Sequence, residues 1–493
     1  MVYQLAGRLV RWLDEAACAS FLALWLGAVW RWLGRQYHRS LLHILVEWRS
    51  LMDKKLGESV FGHLVDLVLS LPERLLGGGG IAALAEEGGS RWTAPLLGAT
   101  LAALLAFPYE QWNNYYALYL VVAALALVCL SRQRAALRLE SVGFWPLAFA
   151  LVTAASVLWS ADRGDSMRFL VFAAVCMLAV LCCAAGLDTE TKLLLAALGV
   201  ALGLVICCGY GVVQKLQGIE PNAHYTDLSA NANMPGRVYS FFDNPNSFAN
   251  IPVLFTPLML ALVCFSPKLW QKLAFGLGFG LGSLCLILTY TRGAWLAWLI
   301  SLFVFVLIVR PRLVPWLLAA GVCCLPLLPD SILNRMLSIF TGDSSISSRG
   351  PIYMAILRLI KRNAVLGVGL GSTNLRDVVK ANGFYTGSAY FVHGHNLLFQ
   401  IWGESGFFAL LAYGFATFFP VKNAVRAAAG RTVTPAMGVA AGAVSGLIGA
   451  VIFGLTDYIW SYPRIMILYW FLFGLMLAAV QVCRREADGA GQA

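Results

Sequence analysis

The chain has 493 residues, of which 59% are hydrophobic and 12% charged, with a mean hydropathy of +0.73 and a net charge of +11. Soluble domains are about a quarter charged, so a chain this apolar cannot hide its side chains in one aqueous core, and lipid must solvate much of its surface. It reads as an integral membrane protein; the positive balance suits anionic headgroups or phosphates, and no nucleic-acid-binding module is visible.

Residues 1–92 differ from the rest. They mix charge with Trp and Leu (RLVRWLDEA, VWRWLGRQYHRSLLHILVEWRSLMDKK) and close on GGGG at Gly77–Gly80. FLALWLGAVWRWLG is apolar but shorter than the ~20 residues a span needs. Trp and Arg on such a helix fit the interface plane, so this region is expected to be amphipathic, mostly helical and laid on the cytoplasmic leaflet. A helical soluble subdomain is the competing reading. The N-terminus lacks the apolar core and small-residue cleavage site of a signal peptide, and a first spanning helix suffices for targeting.

Residues 93–493 alternate apolar segments with short polar links. The expected spans are 94–109, 113–130, 142–159, 168–187, 193–213, 247–265, 270–290, 293–309, 313–328, 394–418, 436–455 and 464–482. The fold class is therefore all-α and polytopic, about twelve transmembrane helices by window length. The twelve cysteines fall almost entirely within apolar runs, without zinc-site spacing, and read as small hydrophobes at helix interfaces.

Lys and Arg concentrate in SRQRAALRLE (131–140), SPKLWQK (266–272), RPR (310–312), PVKNAVRAAAGR (420–431) and CRRE (483–486), whereas PYEQWNN, SADRGDS and TDYIWSYP are acidic or neutral. The basic set is assigned to the cytoplasm. Two long segments, about 214–246 and 329–393, then face outward. The second contains RGPIYMAILRLIKRN (349–363), whose Ile352, Ile356, Leu359 and Ile360 recur at helical spacing.

Four stretches reach that outer side: MPGRVYSFFDNPNSFAN, LTYTRGAWLAW, SISSRGPIYMAILRLIKRNAVLGVGLGS and HGHNLLFQIWGESG. They carry Arg237, Arg292, Arg349 and His395 at or near helix ends. An arginine there can snorkel to headgroups, a reading that stays open for Arg292. Arg237 and Arg349 lie among Ser, Gly and Asn instead, and a guanidinium fork matches phosphate oxygens. DNPN (243–246) reads as a turn capping the next helix, with Asn246 or Ser247 as N-cap. The glycines of GVGLGS (367–372) read as close packing of loop on membrane domain, not as a nucleotide cradle.

His395 has the residue type for a neutral base near pH 7. His393 ranks second, Asn396 could orient the ring or bind sugar hydroxyls, and Glu404, some two and a half turns further on, is too distant for direct partnership.

In their order along the chain, Arg237 through FFDNPNSFAN, TYTRGA, SSRGPIYMAI with NAVLGVGLGS, and HGHNLLFQIWGESGFFALL resemble the O-antigen ligase and polymerase superfamily, over about residues 94–482. The resemblance implies a bacterial inner-membrane glycosyltransferase of the GT-C kind, with a large periplasmic loop (329–393) between the ninth and tenth helices. It implies an undecaprenyl-diphosphate-linked glycan as donor and a hydroxyl, lipid A–core in the ligases, as acceptor. By motif position it places the catalytic roles on His395, Arg349 and Arg237, with Arg292, Asn396 and His393 as substrate-binding candidates. The expected reaction is a single inverting displacement; no DxD-type pair is visible on the outer face, so neither a metal nor another cofactor is expected. A polymerase of the same superfamily is the nearest alternative. A transporter is a further one, disfavoured by the lack of an internal repeat and of paired broken helices.

Overall fold

The computed structural model describes residues 21–40, 55–56, 58–76, 80–220, 235–324, 326, 332–333, 349–387, 391–429 and 433–490. The basic stretch before residue 21, the 41–54 segment, and the portions 221–234 and 334–348 of the two long segments expected to face outward lie outside the described residues. Among the described residues there is no strand. The helices are α1 (Phe21–His38), α2 (Val60–Leu76), α3 (Gly80–Ala106), α4 (Asn114–Leu130), α5 (Phe144–Ala155), α6 (Arg163–Gly186), α7 (Glu190–Leu216) and α8 (Pro245–Phe265). They continue with α9 (Leu269–Leu288), α10 (Arg292–Val309), α11 (Val314–Cys324), α12 (Arg349–Arg362), α13 (Ser372–Ala381), α14 (Leu397–Ala428), α15 (Pro435–Gly454) and α16 (Pro463–Ala490).

The twelve apolar segments expected from the sequence fall on helices where they are described; residues 325, 327 and 328 of the ninth lie outside the described residues. Eight of these, α6–α10 and α14–α16, are long and apolar enough to cross a membrane, while α4, α5 and α11 are apolar but shorter. α3 begins at Gly80 and runs through the expected boundary at residue 92. Ahead of it, α1 and α2 expose Leu24, Trp25, Trp32, Leu33, Val60, Leu64 and Val68.

α15 is the centre of the packing. Its sequence, PAMGVAAGAVSGLIGAVIFG, sets Gly438, Gly442 and Gly446 four residues apart on one face. A Cβ at Gly446 would sit 2.0 Å from the Leu254 carbonyl oxygen, and one at Gly442 would sit 2.5 Å from Leu258 Cα. Hydrogen side chains thus let α8 and α15 touch backbone to backbone, which replaces the hydrophobic drive that helices lack among lipid tails. α16 closes the centre with Ile467, Leu468, Phe471, Leu472 and Leu475 fully buried. The described cysteines are unpaired; Cys176, Cys182, Cys183, Cys207, Cys208 and Cys285 fill helix interfaces as expected, whereas Cys264 and Cys323 are exposed.

α14 is broken once, at Gly406, whose φ of 83° no helix accommodates. The break releases the carbonyls of Gly403 and Glu404, and the segment that follows α12 takes them up. Val368 and Gly369 donate their N–H groups to Gly403 O and Glu404 O, each at 2.9 Å, and Phe407 N–H turns to Ala364 O at 2.9 Å. In a bilayer such groups must find protein partners. The GVGLGS stretch supplies them, so its glycines serve loop packing as the sequence suggests. That loop also has a small core of its own, built from Ile352, Ile356, Leu359, Leu375, Val379 and Phe391.

Gly406→Ala is expected to destabilise the fold severely. Positive φ with extended ψ alone costs a non-glycine residue about 1–3 kcal/mol, and the new Cβ would meet Val365 O at 2.1 Å. Gly414→Ala, on the same helix with nothing within 4 Å, should leave the thermal unfolding midpoint of the detergent-solubilised protein unchanged. Equal midpoints for the two variants would contradict the docking role of the break.

Candidate functional site

The turn at residues 393–396 is held from every side. His395 has φ 43°, a conformation that persists in a non-glycine residue only when its surroundings over-determine it. Here the N–H of Gly394 donates to Gln400 Oε1 at 2.8 Å, and the His395 N–H donates to His393 Nδ1 at 3.2 Å. The His395 carbonyl accepts from the Tyr353 hydroxyl of α12 at 3.2 Å. Asn396 caps α14, accepting from the N–H groups of Leu398 and Phe399 at 3.0 Å each, and its Nδ2 donates to Leu455 O at 2.9 Å. Asn396 is therefore committed to building the turn, by main-chain bonds, on the end of α15.

The residue that sequence reasoning missed is Asp457, three positions past α15. Its Oδ1 lies 3.1 Å from His395 Nδ1 and accepts the Tyr458 N–H at 2.8 Å. Burial by itself would raise the Asp457 carboxyl. The hydrogen bond and charge of His395, with His393 and Arg349 behind them, outweigh burial and hold it well below the usual carboxylate range. The His393 ring lies close by, tilted by 50° with centroids 4.2 Å apart; burial first, then the charges of His395 and Arg349, against the opposing charge of Asp457, pull its imidazole down to about 4, so it is neutral at neutral pH. His395 keeps 29% of its side chain exposed and Asp457 13%. The pair is thus ordered by protein on the Nδ1 side yet reachable from outside, the arrangement of a base and its orienting carboxylate.

Arg349 is the first residue of α12, as expected, and its charge acts on His393, Tyr353 and Asp457 together. Arg292 is the first residue of α10, behind a Thr291 that gives no side-chain cap. Arg237 is buried: Nε donates to Thr289 O at 2.7 Å, and Nη2 to Asn246 Oδ1 and Thr291 Oγ1 at 2.7 and 2.9 Å. It connects to the turn through the chain. Thr291 precedes Arg292 and Gly293, and a Cβ on Gly293 would press on Thr456 Oγ1, the neighbour of Asp457.

The expected cap of α8 is corrected. The N-cap is Asn244, accepting from the N–H groups of Asn246 and Ser247 at 2.8 and 2.9 Å, because Pro245 fits the first helical position. Asn246, freed from capping, serves Arg237 instead.

Glu404 does not touch His395, as its spacing requires, but reaches it through a relay. Its Oε1 accepts from Gln400 Nε2 at 2.5 Å, and Gln400 in turn holds Gly394. The Gly371 N–H of the docked loop also bonds this carboxylate. Across the loop, Asn374 bonds Asp162, Ser166 and Leu370. An apolar cleft of about 580 Å³, counting its open mouth, is lined by Phe149, Phe169, Trp460, Met466 and Trp470, with Tyr458 and Glu404 in its wall.

A family model described as O-antigen ligase matches residues 277–414. That match spans α10, α12, α13 and the histidine turn. A search of curated proteins finds no match to the chain.

A pH dependence follows from His393. Its folded value is about 4 against an ordinary 6.5, so between those limits the unfolded chain binds a proton that the folded turn refuses. Stability is therefore complete above pH 6.5 and declines as pH falls toward 4. The Asp457 contribution acts in the same direction but is lost only below the ordinary carboxylate value of 3.8. Thermal midpoints measured from pH 7.5 to 4.5 should fall for the wild type and flatten in His393→Gln; parallel curves would refute the assignment.

Proposed function

We propose, from the O-antigen ligase family model that matches residues 277–414, that the chain transfers a glycan from undecaprenyl diphosphate to an acceptor hydroxyl, lipid A–core by the family resemblance, on the periplasmic side of a bacterial inner membrane. The observation that carries this reading is the His395–Asp457 pair, 3.1 Å apart and partly open, within the field of Arg349.

The chemistry is a single inverting displacement. Asp457 holds the Nδ1–H of His395, which leaves the Nε2 lone pair for the acceptor hydroxyl. As that oxygen bonds to the anomeric carbon, its proton passes to Nε2. The anomeric carbon–oxygen bond to the diphosphate breaks, and its electron pair stays on the departing oxygen. Arg349 and the N-termini of α10 and α12 face the charge that grows there; preorganised donors of this kind are worth roughly 10²–10³ in rate. Arg237 fixes Thr291 and the start of α10, so its share is positioning together with long-range charge. The apolar cleft beside Tyr458 suits the isoprenoid portion of the donor.

The orientation rests on the basic loops at 131–140, 266–272, 310–312 and 420–431. In that orientation α8, α10, α14 and α16 all start at the outer face. α1 and α2 lie in the opposite interface, with Trp25, Trp32 and their leucines in the acyl boundary and the exposed Arg31 and Arg35 at headgroups.

Reconstituted transfer from a carrier-linked glycan tests the scheme, with membrane insertion and size-exclusion profile as controls. His395→Ala should lower the rate by about 10²–10⁴, the range of general-base catalysis, and Asp457→Asn should fall in the same range. Arg349→Ala should lose roughly 10²–10³; Arg349→Lys should remain impaired, since a point charge does not reproduce the fork. Full transfer by Asp457→Asn would remove the pair from the mechanism. In cells lacking the protein, long carrier-linked chains should accumulate; their absence would instead indicate a polymerase.

A further inference from the structure

We propose that His393, His395 and Asp457 form a binding site for a transition-metal dication of the Zn²⁺ class, and that occupancy of this site switches off the base at His395. The three residues each offer a donor atom, and these atoms all lie within 4.8 Å of one another. His395 Nδ1 and Asp457 Oδ1 are already 3.1 Å apart, and the two imidazoles stand 4.2 Å apart at 50°. Bonds of about 2.0–2.2 Å to one tetrahedral ion put its ligands about 3.3–3.5 Å from each other. The His395 and Asp457 donors are already close to that spacing, and the His393 donor lies within 4.8 Å of both.

The donor set selects the class of ion. Two imidazoles and one carboxylate suit Zn²⁺ and its first-row neighbours, whereas Mg²⁺ and Ca²⁺ prefer oxygen-rich shells. Three protein ligands leave a fourth position for water, and the partial exposure of His395 gives the ion a way in. The turn is pre-built: Gln400, Tyr353 and the Asn396 cap hold it in place before any ion arrives. Ligation through His393 Nδ1 displaces one bond, that from the His395 N–H.

The effect on the base follows from the proton count of a neutral imidazole. The ring carries one N–H and one lone pair. If the ion takes Nδ1, the single proton resides on Nε2, and no lone pair faces the acceptor hydroxyl. If the ion takes Nε2, it occupies that lone pair outright. Either way His395 cannot receive a proton, and Asp457 is drawn from orienting the ring to binding the ion. This second half rests on His395 being the base; binding itself does not.

The test uses tag-free, full-length protein in detergent, titrated with Co²⁺ and followed by its visible ligand-field absorption. One Co²⁺ per chain, displaced by Zn²⁺, is expected. The signal should be lost in His393→Ala and in Asp457→Asn, and kept in His63→Ala on the exposed face of α2. X-ray absorption of the Zn²⁺-loaded wild type should show imidazole scattering, a readout that stands even if a variant fails to fold. No Co²⁺ signal, or a Zn²⁺ shell without imidazole, overturns the site. In the transfer assay Zn²⁺ should abolish the rate and EDTA restore it; stoichiometric binding with unchanged transfer overturns the switch. A protein without transferase activity that still binds Co²⁺ would refute the proposed function and leave the metal site standing.

Discussion

Backbone polar groups inside a bilayer must be satisfied by protein, and one break in one helix turns that rule into architecture. At Gly406 the ladder of α14 opens, and the freed carbonyls of Gly403 and Glu404 have no water to turn to. The segment that follows α12 answers with the N–H groups of Val368 and Gly369, while Ala364 receives Phe407. Three main-chain bonds of this kind fix a loop far more closely than side-chain contacts on a wet surface. The same loop brings α12, with Arg349 and Tyr353, over the end of α15. The helix break thus sets the distance between the arginine and the histidine turn.

The second consequence is a strained residue. His395 sits at positive φ, and each bond that keeps it there comes from a different element: Gln400 from α14, Tyr353 from α12, and Asp457 and Leu455 from the end of α15. Glu404 stiffens Gln400 from below, and Gly371 of the docked loop stiffens Glu404. The imidazole is oriented by a shell that reaches about two turns into the membrane domain. Such support is what allows one ring to present a defined nitrogen to a substrate without rearrangement.

Most of the architecture was legible in the sequence, and the reason is physical. Lipid forces apolar runs of fixed length, so the apolar helices could be read directly, eight of them long enough to cross a membrane, as could the amphipathic face of α12. The helix-end positions of Arg349, Arg292 and the histidine turn could be read because charge at a helix end is conspicuous in such a chain. Asp457 could not. Its link TDYIWSYP looks like any short acidic connection, and its partnership with His395 spans 62 residues. Only the packing of α14 against α15, through contacts such as Leu397 on Gly454, brings the two together. The cap of α8 failed for a subtler reason. Asn244 and Asn246 flank Pro245 symmetrically in sequence, and the fixed φ of proline decides between them. Glu404 was placed correctly as out of direct reach, but a relay through Gln400 cannot be seen from spacing alone.

The arginines show why burial and partners, not residue type, decide what a cation does here. Arg464, near the start of α16, is as buried as any core residue, and its guanidinium goes to Leu104 O, Leu105 O and Phe241 O, with the ring faces of Phe242 and Trp112 around it. It closes the C-terminal end of α3, where carbonyls point outward and a cation belongs. Arg349 and Arg292 occupy the opposite situation, at helix N-termini where their charge adds to that of the dipole. Arg237 stands between these cases, tied to neutral acceptors on two segments and buried with them. A structural arginine neutralises a surplus of carbonyl charge; an arginine stacked on a positive helix end creates a surplus of its own. At the start of α12 the Asp457 carboxylate lies within the field of Arg349 and answers that surplus, whereas Arg464 serves the carbonyls at the end of α3.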